Sequence, residues 1–249
     1  VKADPEHQQR LLHLQQIDTR LQQIDHARAR LPQLAQLQEA TTARAAVADD
    51  LVRAETSLSD VRRELDRAES DVAQVRDRAA RDQQRLDSGQ GSAKDLTALQ
   101  HELESLARRQ SDLEDVEIEV MERAEAGEER VSTLTADRDR ATAQVEELTR
   151  ERDAALAELD RERAEVAAPR ADLVSTIDPA LVALYDRVRD ASGGLGAAPL
   201  VQRRCGGCQL ELNPVDLGAI AKAPADEVVR CEECNRILVR TDESGLPAA

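Results

Sequence analysis

All four cysteines of the chain fall into two Cys-x-x-Cys pairs, Cys205-Gly206-Gly207-Cys208 and Cys231-Glu232-Glu233-Cys234. Two residues between paired thiolates let each loop turn so that both sulfurs reach one ion. Two such knuckles complete the closed tetrahedral shell that Zn²⁺ prefers in structural sites. The 22 residues between the pairs leave room for a strand, a short helix and a returning strand, the layout of a zinc ribbon. Four protein ligands leave no position for water or substrate, so the spacing predicts one structural Zn²⁺ and no catalytic metal. Two other chemistries use the same pairs. Val1 to Gln16 is polar and charged and carries no signal peptide, so we expect a reducing, cytoplasmic setting in which persistent disulfides are rare. A redox dithiol of the thioredoxin type sits in an α/β pattern, and none surrounds these pairs.

Arg203, Arg204, Arg230, Arg236 and Arg240 crowd the cysteines. Arginine forks suit phosphate and carboxylate, which makes these five candidate contacts for RNA, DNA or a protein partner. The segment is nevertheless not basic: residues 200 to 241 hold six basic and six acidic side chains. A zinc centre with four cysteine ligands adds about two negative charges once every thiolate is ionised. Non-specific duplex binding is therefore expected to be weak. Catalysis finds no constellation. The carboxylates recur at helical spacing as solvated faces, His7, His13, His26 and His101 all lie far from the cysteines, and no phosphate loop or nucleophile motif is present. The expectation is a protein that is not an enzyme.

The elements that must position the cysteines are mostly helical. Ala, Glu, Lys, Leu and Arg make up just over half of the 249 residues, a bias of coiled coils and long helices. Tyr185 is the only aromatic residue, which excludes aromatic platforms for stacking bases. The net charge of -16 repels nucleic-acid backbones and membrane surfaces, and no apolar stretch is long enough to span a bilayer.

Asp4-Pro5-Glu6 starts the first helix, with Asp4 as N-cap and Pro5 at the first helical position. Leu14, Ile17, Leu21, Ile24 and Leu31 follow heptad spacing until Pro32, where a kink or break is expected. From Val47 the steps of four and three run through Leu51, Ala54, Leu58, Val61, Leu65, Ala68, Val72, Val75, Ala79, Asp82 and Leu86, the 3.5 period of a left-handed coiled coil. Residues 88 to 92, Ser-Gly-Gln-Gly-Ser, break the helix, and Ser92 with Asp95 can cap the next one. The second arm repeats the rhythm from Leu96 to Val166, with polar places at Gln110, Glu117, Arg138, Arg152 and Glu162 and a glycine at Gly127, so its seam should be looser. Two heptad helices joined by a short loop pack antiparallel. Residues 1–168 are thus read as an antiparallel coiled-coil hairpin with arms on the order of 80–120 Å.

Pro169 is expected to end or bend this hairpin. Residues 169–196 read as short helices and a glycine linker, 197–241 as the zinc-ribbon domain, and 242–249 as a mobile tail. The fold class is mainly α, a long antiparallel coiled-coil hairpin followed by a small β-rich zinc ribbon with four cysteine ligands.

This arrangement resembles a bacterial family of C4-type zinc-ribbon proteins with N-terminal coiled coils, over nearly the whole chain. The resemblance rests on Leu184-Tyr185-Asp186-Arg187-Val188-Arg189, the two cysteine pairs, and Asn235-Arg236-Ile237-Leu238. At the tip, Lys94-Asp95-Leu96 with Leu99, Glu102 and Leu103 is similar to the family's tip helix. Val239 stands where an aromatic often follows the Arg-Ile-Leu motif, which implies a less firmly packed last strand. The resemblance implies regulation through binding: relatives are associated with flagellar gene expression or secretion, through an alternative sigma factor, other proteins or a transcript. The expected function is an adaptor or regulator, monomeric or homodimeric, that binds protein partners such as transcription or secretion machinery. Lys94, Asp95, Leu96, Leu99 and Glu102 are its candidate tip contacts. The alternative is an RNA- or DNA-binding regulator acting through the ribbon arginines.

Overall fold

The structure, a computed structural model, describes residues 1–246. Among the described residues, five helices and four strands follow one another: α1 Pro5–Ala29, α2 Pro32–Asp87, α3 Ala93–Ser175, α4 Pro179–Ala191, β1 Ala197–Val201, β2 Arg204–Cys205, α5 Pro214–Lys222, β3 Val229–Arg230 and β4 Ile237–Val239. The chain divides into two compact units, one of residues 1–34 with 150–249 and one of residues 35–149.

In the second unit, α2 and α3 form the coiled-coil hairpin. Cross-helix ion pairs fix its sense: Arg62–Glu128 at 2.6 Å, Glu64–Arg123 at 2.8 Å, Arg76–Glu114 at 2.6 Å and Arg78–Glu102 at 2.6 Å. The partner's number falls as the α2 number rises, so the helices are antiparallel. The heptad places predicted on α2 are all buried or half-buried, among them Leu51, Ala54, Leu58, Ala68, Val72 and Asp82. On α3 only Leu106, Val120 and Ala124 are fully buried, in keeping with the weaker seam read from its polar places. The turn closes as expected. Gly89 adopts φ 64°, a left-handed conformation that glycine enters without steric cost. The Asp95 amide donates to Ser92 Oγ at 3.3 Å while the Ser92 amide donates to Asp95 Oδ2 at 2.9 Å, a reciprocal capping box.

The first unit is built around α1. Asp4 accepts from the Glu6 amide at 2.8 Å with Pro5 behind it, and the helix stops at Ala29 so that Pro32 opens α2. The end of α3 runs antiparallel to α1, through Arg28–Asp160 at 3.2 Å, Asp25–Arg163 at 2.9 Å, Asp18–Arg170 at 2.6 Å and an Arg10 bond to the Thr176 carbonyl at 2.7 Å. Pro169 does not end the hairpin; α3 continues through it to Ser175. Pro169 lies on the exposed face of the helix, so its ring does not enter the packing against α1, and Arg170 in the next position is anchored to Asp18. The boundary expected at residue 168 therefore falls inside a continuous helix.

The four strands form one sheet in the order β2-β1-β4-β3, with β1 parallel to β4 and the other neighbours antiparallel. Alternation along the strands gives the sheet two apolar faces. Ala197, Ile237 and Val239 join Leu11 and Leu14 of α1 and Leu181, Tyr185 and Val188 of α4. Ala198, Leu200 and Leu238 join Leu212, Leu217, Ile220, Cys205 and Cys231 on the other side. Val239 is only 1% exposed, so the smaller side chain still packs fully. The strand expected to leave the first cysteine pair reduces to an isolated bridge, Arg204 with Glu211.

The tail expected to be mobile from residue 242 is held as far as it is described. The Gln202 and Arg203 amides donate to the carbonyls of Glu243 and Ser244 at 2.7 and 2.9 Å, Ser244 Oγ donates to the Leu200 carbonyl at 3.1 Å, and Leu246 packs on the second core. These contacts pair the amides of the β1–β2 turn, which an unattached tail would leave to solvent. Residues 247–249 of that expectation lie outside the described residues.

Candidate metal centre

The two knuckles are near copies of each other. In the first, the Gln209 amide donates to the Cys205 carbonyl at 2.8 Å and the Cys205 amide to the Leu210 carbonyl at 3.0 Å. In the second, Asn235 donates to Cys231 at 2.8 Å and Cys231 to Arg236 at 3.0 Å. The residue after each second cysteine is left-handed, Gln209 at φ 66° and Asn235 at φ 61°. That conformation turns the chain back within one residue and brings both sulfurs to the same side. It costs a non-glycine residue of order 1–3 kcal/mol and persists only where the surroundings impose it.

The first knuckle carries glycines because it is pressed against β1. A Cβ on Gly206 would lie 2.9 Å from the Pro199 carbonyl oxygen, and one on Gly207 would lie 2.8 Å from Arg236 Cδ. The second knuckle is open and tolerates Glu232 and Glu233, both exposed.

The four sulfurs lie within 4.8 Å of one another. Cys205 and Cys234 Sγ are 3.8 Å apart and Cys208 and Cys231 Sγ 3.9 Å. A tetrahedral Zn²⁺ with Zn–S bonds of about 2.3 Å requires sulfur–sulfur edges of about 3.8 Å, so the donor set fits one zinc ion. Burial pushes the Cys205 and Cys231 thiols up, the latter to about 12. At Cys234 burial acts in the same direction, yet the backbone and side-chain N–H groups of Arg236 and the neighbouring thiols bring it down to about 7. A site that mixes one easily formed thiolate with buried, reluctant thiols is one that a cation completes, because each metal–sulfur bond replaces a proton.

The five candidate arginines do not form a common surface. Arg240 donates to the carbonyls of Ala223, Pro224, Ala225 and Glu227 at 2.8–2.9 Å, pairing the C-cap of α5 and the loop that follows it. Arg236 donates to the carbonyls of Leu195 and Ser192 at 3.0 Å each, and Arg230 to that of Asn235 at 2.9 Å. Arg203 and Arg204 remain exposed, each 4.0 Å from Glu211. Composition and spacing treat the five alike; only tertiary placement separates three that bond backbone carbonyls from two that face outward. At the tip, Asp95 belongs to the capping box, Leu96 and Leu99 are half-buried in the seam and Glu102 pairs with Arg78, leaving Lys94 exposed.

Two polar residues essential to the site's framework carry no signal in the heptad pattern. Gln15 is 5% exposed; its Oε1 accepts from the Gly196 and Ala197 amides at 2.6 and 3.2 Å, and its Nε2 donates to the Gly194 carbonyl at 2.9 Å. Asp18 is 7% exposed and receives Arg170 Nε at 2.6 Å, Arg189 Nη1 at 2.7 Å and Tyr185 Oη at 2.8 Å. Burial alone would raise the Asp18 pKa, but these donors outweigh it and hold the carboxyl below its usual value. Burial and the adjacent carboxylate push Tyr185 up. Gln15 and Asp18 lie one and four residues from the predicted seam position Leu14, on the flank of α1 that α4 and β1 cover. The Tyr185-Asp186-Arg187-Val188-Arg189 motif was the available hint to that flank.

Fold and site together define a coiled-coil hairpin protein with a C-terminal zinc ribbon of four cysteine ligands. The model of the CT398-like coiled coil hairpin domain matches residues 14–193, and that of the C4-type zinc ribbon domain matches residues 204–238. The chain belongs to the CT398-like coiled-coil hairpin family. It is 38% identical to protein Rv2229c of Mycobacterium tuberculosis over 249 residues, covering 97% of this chain and 98% of the relative. A solved structure from Mycobacterium smegmatis is similar with a TM-score of 0.85 and 40% identity, over 96% of this chain and 100% of that one. CT398 from Chlamydia trachomatis shares the fold at a TM-score of 0.69 and 17% identity, over 95% and 98% of the two chains. Among the described residues, no helix is long and apolar enough to cross a membrane.

Proposed function

We propose that the protein is a non-enzymatic, cytoplasmic adaptor or regulator that binds protein partners through the outer faces of its coiled-coil hairpin, with a zinc that is structural. The observation that carries this reading is on α3. The α2–α3 seam already buries the heptad residues, yet Val116, Ile118 and Met121 stand 47, 54 and 42% exposed within six residues. Asp112, Glu114, Asp115, Glu117, Glu119 and Glu122 surround them, with no basic residue of α3 between Arg109 and Arg123, and Glu114 pairs with Arg76 of α2. Aliphatic side chains in an acidic surface suit a basic, partly apolar protein surface and repel a phosphate backbone. Relatives in transcription or secretion, implied by the resemblance, make machinery of that kind the natural partner class.

The alternative, an RNA- or DNA-binding regulator, draws on Arg203 and Arg204, the two ribbon arginines that face outward. Crosslinked capture of the tagged full-length protein from its own cells, with and without nuclease, separates the readings. A partner that survives nuclease and disappears with Ile118→Ser/Met121→Ser supports the adaptor. Capture that is abolished by nuclease and by Arg203→Glu/Arg204→Glu refutes it in favour of nucleic acid. In either case, monomer or homodimer is read by light scattering on the same sample.

A further inference from the structure

Arg236 lies two residues beyond the second knuckle, and its carbonyl receives the Cys231 amide at 3.0 Å. Its side chain does not run out to solvent. The 2.8 Å approach between Arg236 Cδ and a Cβ built on Gly207 places the stem directly on the bare backbone of the first knuckle. From there Nε reaches the Leu195 carbonyl and Nη2 the Ser192 carbonyl, each at 3.0 Å. One side chain thus touches a residue of the first knuckle, springs from the residue that joins the second to β4, and bonds the turn from α4 to β1.

Other bonds hold parts of that turn: the Gly194 amide donates to the Arg189 carbonyl at 2.9 Å, Gln22 Nε2 to the Gly193 carbonyl at 3.2 Å and the Ile237 amide to the Gly196 carbonyl at 2.9 Å, whereas the Ser192 and Leu195 carbonyls receive Arg236. Ser192 is the C-cap of α4, and Gly193 and Gly194 follow at φ 69° and 100°. The Gln15 amide clamps the turn through Gly194, Gly196 and Ala197, and Arg236 supplies the side-chain donors to Ser192 and Leu195. The guanidinium has a second role at the same place. Four thiolates around one Zn²⁺ carry a net charge of about -2, and the positive charge of Arg236, two residues from Cys234 and with its stem against Gly207, offsets part of it.

We propose that Arg236 is an outer partner of the zinc site that also clamps the α4–β1 turn, so that metal occupancy and the order of residues 192–197 are coupled. This rests on the zinc reading above. With the knuckles linked through the metal, Gly207 and the start of β4 form a fixed platform for the Arg236 stem. With the link gone, the platform parts and the carbonyls of Ser192 and Leu195 lose their donors.

The test uses the full-length chain. Zinc content is measured first, and amide hydrogen exchange over residues 192–197 is then followed before and after zinc withdrawal with EDTA. Exchange in this turn should accelerate about tenfold or more, with none in residues 60–80. Arg236→Gln, loaded with zinc, should release the metal to a chromogenic chelator about tenfold faster, the lower end expected for loss of an outer-shell partner. Its turn should exchange fast while zinc is still bound, which unfolding of an empty ribbon would not produce. Lys222→Gln, which removes an exposed cation at the end of α5 away from both knuckles, should change neither. A wild-type turn indifferent to zinc withdrawal, or an Arg236→Gln protein with wild-type release and exchange, overturns the coupling. A purified wild type containing no zinc overturns the metal assignment instead.

Discussion

Replacing Asp18 by Asn tests the idea that a buried ionic knot holds the first unit together. The carboxylate is almost completely enclosed, with its side chain 6% exposed, while its partners Arg170 and Arg189 are 31 and 27% exposed. Removing one member of a buried pair costs about 3–5 kcal/mol because the remaining charge loses its counterion. Partial hydration of the two guanidinium groups places the value at the lower end, about 3 kcal/mol. With an m-value of about 2 kcal/mol/M in urea, the midpoint should fall by about 1.5 M. The assay is built into the chain. Tyr185 is its only aromatic residue, is fully buried and donates to Asp18, so its fluorescence reports the first unit alone, measured at fixed free zinc. The pH dependence has a definite sign. Because the Asp18 pKa is lowered in the folded state, its stabilisation is fully present above the unfolded-state pKa of about 3.9 and is lost as pH falls through the folded-state value. The gap between wild type and Asp18→Asn should be full at neutral pH and shrink below about pH 4. A difference under about 0.5 kcal/mol at neutral pH, the scale of an ordinary surface substitution, would refute the argument.

Gln15→Ala should cost about 2 kcal/mol, since it leaves the buried amides of Gly196 and Ala197 without an acceptor; unchanged Tyr185 fluorescence melts would count against it. Gly127 occupies a seam position where an added Cβ would meet Leu58 Cδ1 at 3.0 Å. That atom is the end of a flexible side chain, so Gly127→Ala should raise the stability of the α2–α3 unit by up to about 1 kcal/mol from helix propensity, read by circular dichroism. Destabilisation would mean that Leu58 cannot give way.

The hairpin and the metal set were legible in the sequence because each is written locally. A 3.5-residue apolar period forces two helices to meet along one stripe, and Cys-x-x-Cys forces a knuckle wherever it occurs. The break at Pro32, the turn at residues 88–92 and the capping box at Ser92 and Asp95 follow from single-residue chemistry in the same way. Pro169 shows the limit of such reasoning. Its local preference to end a helix is outweighed by the contacts of the α3 end with α1, Asp25–Arg163, Asp18–Arg170 and Arg10 with the Thr176 carbonyl.

What the sequence by itself determined is the class of the protein: an antiparallel coiled-coil hairpin, four zinc ligands, and an acidic surface unsuited to non-specific nucleic-acid binding. What only the tertiary structure decided is how the polar residues divide their roles. Asp18 and Gln15 look like solvated helix positions until α4 and β1 cover that flank of α1. Arg236 and Arg240 look like free cations until the loops around the ribbon present carbonyls that need donors. The physical reason is common to all four. A polar side chain's role depends on which unsatisfied charge or backbone group the fold brings to it, and those groups arrive from more than a dozen to over 150 residues away in the chain.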